Sequence, residues 1–179
     1  MIKKIITLLV IVFTVTLQGQ ENKQSKSKMS DFVSQTGTII KYENYDLPKL
    51  KSAYGSVDVK VQKIMSGNLT KYFYLLSKPA KYSSKTASIA YEDLIEVMKA
   101  LDELQKQLKD DLNTTSDYLE NKFVTDDKFM IGYYVSKGKS VWYLKLDSYG
   151  NDNTVFIKDI ELFSTSFKLG KEKIEELKQ

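Results

Sequence analysis

Apolar residues open this chain in one block, then alternate, then fall into a helical stripe; the alternation and the stripe recur in the second half. The opening block, Ile5 to Leu17, spans 13 residues and is interrupted only by Thr7, Thr14 and Thr16. Alternation follows. Gly37 to Glu43 reads as a strand, and Pro48 and Gly55 bracket a loop. Val57 to Met65 and Leu69 to Ser77 alternate around Ser66-Gly67-Asn68, the mark of a tight hairpin. Lys85 to Ala90 is a short strand. The period then changes: Leu94, Val97, Leu101, Leu104 and Leu108 predict a helix over Tyr91 to Leu112. Glu92 and Asp93 in its first turn and Lys109 near its end suit the helix dipole.

The second half repeats that order. Asp117 to Thr125 is a weak strand, and Phe129 to Ser136 and Ser140 to Asp147 form a hairpin around Lys137-Gly138. Thr154 to Ile157 is a short strand, and Asp159 caps a helix running to about Leu177, with Ile160, Phe163, Phe167, Ile174 and Leu177 as its buried stripe. Adding 66 maps Leu94 onto Ile160, Val97 onto Phe163, Leu101 onto Phe167 and Leu108 onto Ile174. Any two amphipathic helices can be aligned in this way, so the two ββββα units are either duplicated or convergent. The fold class is α+β: an antiparallel sheet of about eight strands with two helices packed on one face.

The opening block, preceded by Lys3 and Lys4 and followed by a polar stretch from Gln18, has the layout of a secretory signal peptide over residues 1–20. It is short of the roughly 20 apolar residues a spanning helix needs. No Cys stands at the junction for lipid attachment, so the expectation is a secreted or periplasmic protein, not a lipoprotein, with no stable membrane insertion after cleavage. The Lys-for-Arg bias and the plain signal peptide suit a bacterial host. Residues 21–30, polar and rich in Lys and Ser, read as a flexible leader, and 31–179 as a single domain.

Composition narrows the chemistry. There is no His, no Cys and no Arg; all 27 basic residues are Lys. Imidazole and thiolate carry most side-chain catalysis and transition-metal binding, so the sequence names no catalytic residue, no cofactor and no metal site. Without Lys3 and Lys4 the mature chain holds 25 Lys against 23 acids, interleaved rather than clustered, which argues against a nucleic-acid partner. Ser25/Lys28 and Ser136/Lys139 have Ser-x-x-Lys spacing in the leader and at a hairpin turn, neither of them a buried, oriented element. Tyr45/Lys49 lacks a dinucleotide loop. Asp110/Asp111 and Asp126/Asp127 read as a helix end and a solvated turn. The loop from Asp147 to Asn153 is oxygen-rich, but turn chemistry accounts for it without Ca²⁺.

Hairpin register separates the two sheet faces. In the second hairpin one face carries Phe129, Ile131, Tyr133, Val135, Trp142, Leu144 and Leu146, the core side. The other carries Met130, Tyr134, Val141 and Tyr143, which is apolar for a solvent face. In the first hairpin Ile64, Phe73 and Leu75 stand opposite the core residues. These seven residues are the candidate binding positions, set against the plainer and favoured reading that another strand layer or the N-terminal segment covers them. The functional expectation is a non-enzymatic binding module for a protein or for an apolar or sugar-like ligand, held by aromatic strand residues. The alternative is a small hydrolase using carboxylate, Tyr and Lys groups.

Overall fold

The structure, a computed structural model, describes residues 26–79, 84–147 and 152–179. The expected signal segment lies outside the described residues, as do positions 148–151 of the oxygen-rich loop. A short helix α1 (Lys28–Val33) precedes β1 (Ile40–Ser52), β2 (Gly55–Ser66), β3 (Leu69–Lys78), β4 (Lys85–Ala90) and α2 (Tyr91–Asp111). The order then repeats with β5 (Tyr118–Val124), β6 (Met130–Ser136), β7 (Lys139–Lys145), β8 (Thr154–Ile157) and α3 (Glu161–Lys178).

The class is α+β, as expected, with one difference in the sheet. The strands form two separate four-stranded antiparallel meanders, β1-β2-β3-β4 and β5-β6-β7-β8, rather than one eight-stranded sheet. The excursion through α2 separates β4 from β5, and alternation alone does not reveal which strands exchange hydrogen bonds. At the other seam, the Ala53 N–H donates to the Phe156 carbonyl at 2.8 Å, joining the β1–β2 turn to β8.

The hairpins take the expected register. Lys137 and Gly138 have φ of 52° and 71°, the paired positive values of a type I′ turn, and Ser136 pairs with Lys139 across it. β1 is longer than Gly37 to Glu43 suggests. It runs through Pro48 with a register shift between Leu47 and Leu50. Pro is tolerated there because β1 is an edge strand, hydrogen-bonded only to β2.

One core unites the sheets with α2 and α3. It holds Val57, Val59, Val61, Tyr74 and Leu76 from the first sheet, Phe129, Ile131, Tyr133, Val135, Trp142, Leu144 and Leu146 from the second, and the helix stripes. α2 packs against β3 and β4 and also against β5 and β6. α3, the helix of the second ββββα unit, lies on β1 and β2 of the first. Each unit therefore contributes to the core of the other.

Tyr74 is the pivot of that exchange. Fully buried on β3, it stacks edge-on against Phe167 at 5.6 Å between ring centroids and shares a 2.6 Å hydrogen bond with Ser166. Gly170, one turn on, makes the approach possible: a Cβ there would stand 2.3 Å from the Tyr74 ring. The glycine on the buried stripe of α3 is thus a packing device.

The leader reading changes at its end. Lys28, Met29 and Ser30, assigned by composition to a flexible spacer, open α1. Ser27 caps the helix by accepting the Ser30 N–H, and Phe32 is buried. Composition registers a polar segment; it does not register that a single Phe and a single Lys have docking partners elsewhere in the fold.

Candidate functional site

The outer faces of the two sheets have different fates. On the first, Ile64, Phe73 and Leu75 are buried beneath α1, in a small cluster with Phe32 and Ala90, and Met29, Val33 and Ile40 pack at its border. These three candidate positions are not on an open surface, and the N-terminal segment is what covers them. On the second sheet, Met130, Tyr134 and Val141 are half-exposed, and Tyr143 is only 7 % exposed.

Tyr143 is buried by its own sheet. Register places it opposite Gly132 on β6, and Gly132 opposite Lys122 on β5. A Cβ on Gly132 would stand 2.4 Å from the Asn121 carbonyl, so β5 closes tightly on β6 at this point. The Tyr143 hydroxyl reaches across to donate to Glu120 Oε1 at 2.5 Å, while Lys122 Nζ holds Glu120 Oε2 at 2.8 Å. Tyr143 is therefore a structural strut rather than a contact residue. Side-chain alternation gives its face but not its coverage, which depends on a glycine on β6, the strand between Tyr143 and the carboxylate.

The ionisations follow from these contacts. The Lys122 ammonium, then the Tyr143 hydroxyl, hold Glu120 below its usual carboxylate range. Burial, then the Glu120 carboxylate, push the Tyr143 phenol upward. Burial and the Asp111 carboxylate, which accepts the Tyr133 hydroxyl at 2.6 Å, push Tyr133 up to about 12. A lowered carboxylate adds stability that is present above its unfolded value near ~4.3 and is lost as pH falls through the folded one. A raised phenol adds stability that is present below ~10 and is lost as pH rises through its folded value. The melting temperature should therefore fall on both sides of a broad neutral plateau. Tyr143→Phe should flatten both limbs, the acid one in part because Lys122 remains. Superimposable pH profiles for the variant and the parent would contradict this role for the strut.

Beside the strut the second sheet carries a groove of about 590 Å³, within the size range of small-ligand sites. Tyr54, Tyr134, Val141, Trp142 and Phe156 supply its apolar lining, and Ser140, Lys158 and Asp159 its polar edge. Strand length creates it. β8 pairs only with Trp142 to Lys145, so β7 runs beyond the end of β8 through Lys139, Ser140 and Val141 while the chain turns away toward α3. The β1–β2 turn brings Tyr54 in from the first sheet, 88 % exposed, its ring edge-on to Phe156 at 6.4 Å. Tyr118 stacks on Tyr134 at 5.9 Å beside the groove and is itself exposed.

Of the seven expected positions, Tyr134 and Val141 line this groove, and Met130, Tyr143, Ile64, Phe73 and Leu75 do not. Tyr54 and Phe156 were not singled out from sequence. Phe156 alternates outward on β8 and was legible as such; Tyr54 sits in a turn, and its proximity to β8 depends on how the two sheets meet.

The other sequence candidates separate in space. Tyr45 donates to Glu43, and Lys49 pairs with Asp58. Ser136 and Lys139 flank the exposed β6–β7 turn. Asp111 is taken by Tyr133, and Asp126 and Asp127 gather around Lys28. Among the described residues no group of three or more carboxylates is arranged to hold a metal ion, and no helix is long and apolar enough to cross a membrane. No protein-family model, curated protein or solved structure matches this chain.

Proposed function

We propose that this chain is a secreted or periplasmic binding module, non-enzymatic, whose ligand lies in the groove between Tyr54, Tyr134, Val141 and Phe156. The observation that carries the reading is the exposure of aromatic rings around a concave site. Water-exposed rings lose area on contact with a flat apolar surface, such as the face of a sugar ring or an aromatic side chain, and few rotatable bonds are frozen in doing so. Ser140, Lys158 and Asp159 supply hydrogen-bonding groups at the rim. Asp159 is the one carboxylate of the lining among the described residues, and its Oδ1 already accepts the Glu161 N–H at 3.0 Å at the start of α3. A hydrolase of the two-carboxylate kind needs a second acid across the cleft, so the lining favours binding over the hydrolase alternative.

The test is a nuclear magnetic resonance titration with indole and with short oligosaccharides. Shift changes should concentrate on residues 53–54, 134, 140–142 and 156–160. Changes centred on another surface would remove the groove from consideration.

A further inference from the structure

We propose that α1 is a releasable cover over a second docking face, the outer side of β2 and β3. The partner for that face is a basic amphipathic segment with a cation one helical turn ahead of an aromatic residue. The pattern is α1's own, Lys28 followed by Phe32.

Three observations carry this. First, a six-residue helix has no stability of its own, since isolated helices below about 12–15 residues are marginal in water; α1 exists because it is docked. Second, the docking sets one cationic clasp beside a small apolar contact, Phe32 flanked by Met29 and Val33. Lys28 Nζ meets Asp93 Oδ1 at 2.5 Å and lies 3.6 Å from Asp126 Oδ2, while the Lys28 N–H is shared by both oxygens of Asp127 at 3.0 Å. Phe32 covers the cluster containing Ile64, Phe73, Leu75 and Ala90, with Lys71 Nζ 5.4 Å from its ring centre. Third, the clasp is incompletely satisfied. Asp93 is 5 % exposed, and its Oδ2 is buried without a hydrogen-bond partner. A buried carboxylate oxygen without a donor is costly, and the cost disappears when α1 leaves and water enters. Docking thus opposes apolar burial to a desolvated acid, which leaves the closed state easy to open.

The uncovered face would be chemically specific. Ile64, Phe73 and Leu75 form an apolar floor on adjacent strands, and Asp93, Asp126 and Asp127 form an acidic wall at its side. The linker to β1 includes Gly37 at φ 80°, a conformation that few other residues adopt, and it keeps α1 tethered while open.

Hydrogen exchange on the full-length chain tests the cover, and a labelled peptide spanning residues 26–36 tests the face. In Lys28→Ala, α1 amides should exchange on the order of tenfold faster, the equivalent of one lost charge-assisted hydrogen bond, while α2 and the β2–β3 ladder keep their protection. The peptide should bind Lys28→Ala/Phe32→Ala about tenfold more tightly than the parent, whose face is occupied, and a peptide carrying Lys28→Glu should lose that binding. If the double variant loses its near-ultraviolet circular dichroism, Lys28→Ala alone serves for the peptide measurement. Exchange of α1 in step with α2 in both parent and Lys28→Ala, or equal peptide affinity for covered and uncovered forms, would overturn the proposal.

Discussion

Trp142→Ala is expected to lower the unfolding free energy by ~3–5 kcal/mol, the range for truncating a buried large aromatic. Trp142 is 6 % exposed and lies edge-on to Tyr133 at 4.7 Å, its cross-strand partner. The Tyr133 hydroxyl in turn donates to Asp111 at the end of α2. Removing the indole leaves a cavity between sheet and helix and frees the ring that ties them together. Urea denaturation of the variant measures the loss directly. A change below about 1 kcal/mol, the scale of an ordinary surface substitution, would mean that the second sheet does not pack as described.

Tyr74→Ala is expected to cost as much, for a different reason. Tyr74 is the fully buried contact among those that seat the second unit's helix on the first unit's sheet, beside the Tyr72 hydroxyl that donates to the Leu177 carbonyl at 2.9 Å. Its truncation leaves a cavity against Phe167 and Gly170 and leaves Ser166 without its buried partner. The cavity contributes ~3–5 kcal/mol by comparison with other large buried rings. Tyr74→Phe keeps the ring and loses only the hydrogen bond, at about 1–3 kcal/mol if Ser166 stays unsatisfied. The two variants measured together separate packing from hydrogen bonding. Equal losses in both would show that the ring's volume is not what holds α3 in place.

The strands and helices were largely legible because their signals are local. The face assignment of the second hairpin, from Phe129 through Leu146, rests on a period of two and a two-residue turn, and the core contains every residue it named. The stripe from Phe163 to Ile174 was legible from its helical period. What was not legible depends on pairs distant in the chain. Ile64 and Phe73 face away from the main core as alternation requires, yet α1 buries them, because Phe32 and Lys28 find partners beyond any periodic pattern. Tyr143 points outward and is buried because Gly132 lets neighbouring strands close in. The division into two sheets is equally non-local. Tyr134 and Val141 were found from their outward positions, whereas Tyr54 enters the groove only through the meeting of the β1–β2 turn with β8.

That groove holds the chain's single tryptophan at its edge, so Trp142 emission reports directly on ligand binding. The decisive measurement is a fluorescence titration of the parent, Tyr54→Ala and Tyr134→Ala with indole-free oligosaccharides and apolar ligands. The expected result is a saturable shift in Trp142 emission that both variants weaken, with their unfolding free energies within about 0.5 kcal/mol of the parent. Ligand binding that leaves Trp142 emission unchanged, or that survives both substitutions undiminished, would contradict an aromatic groove as the binding site.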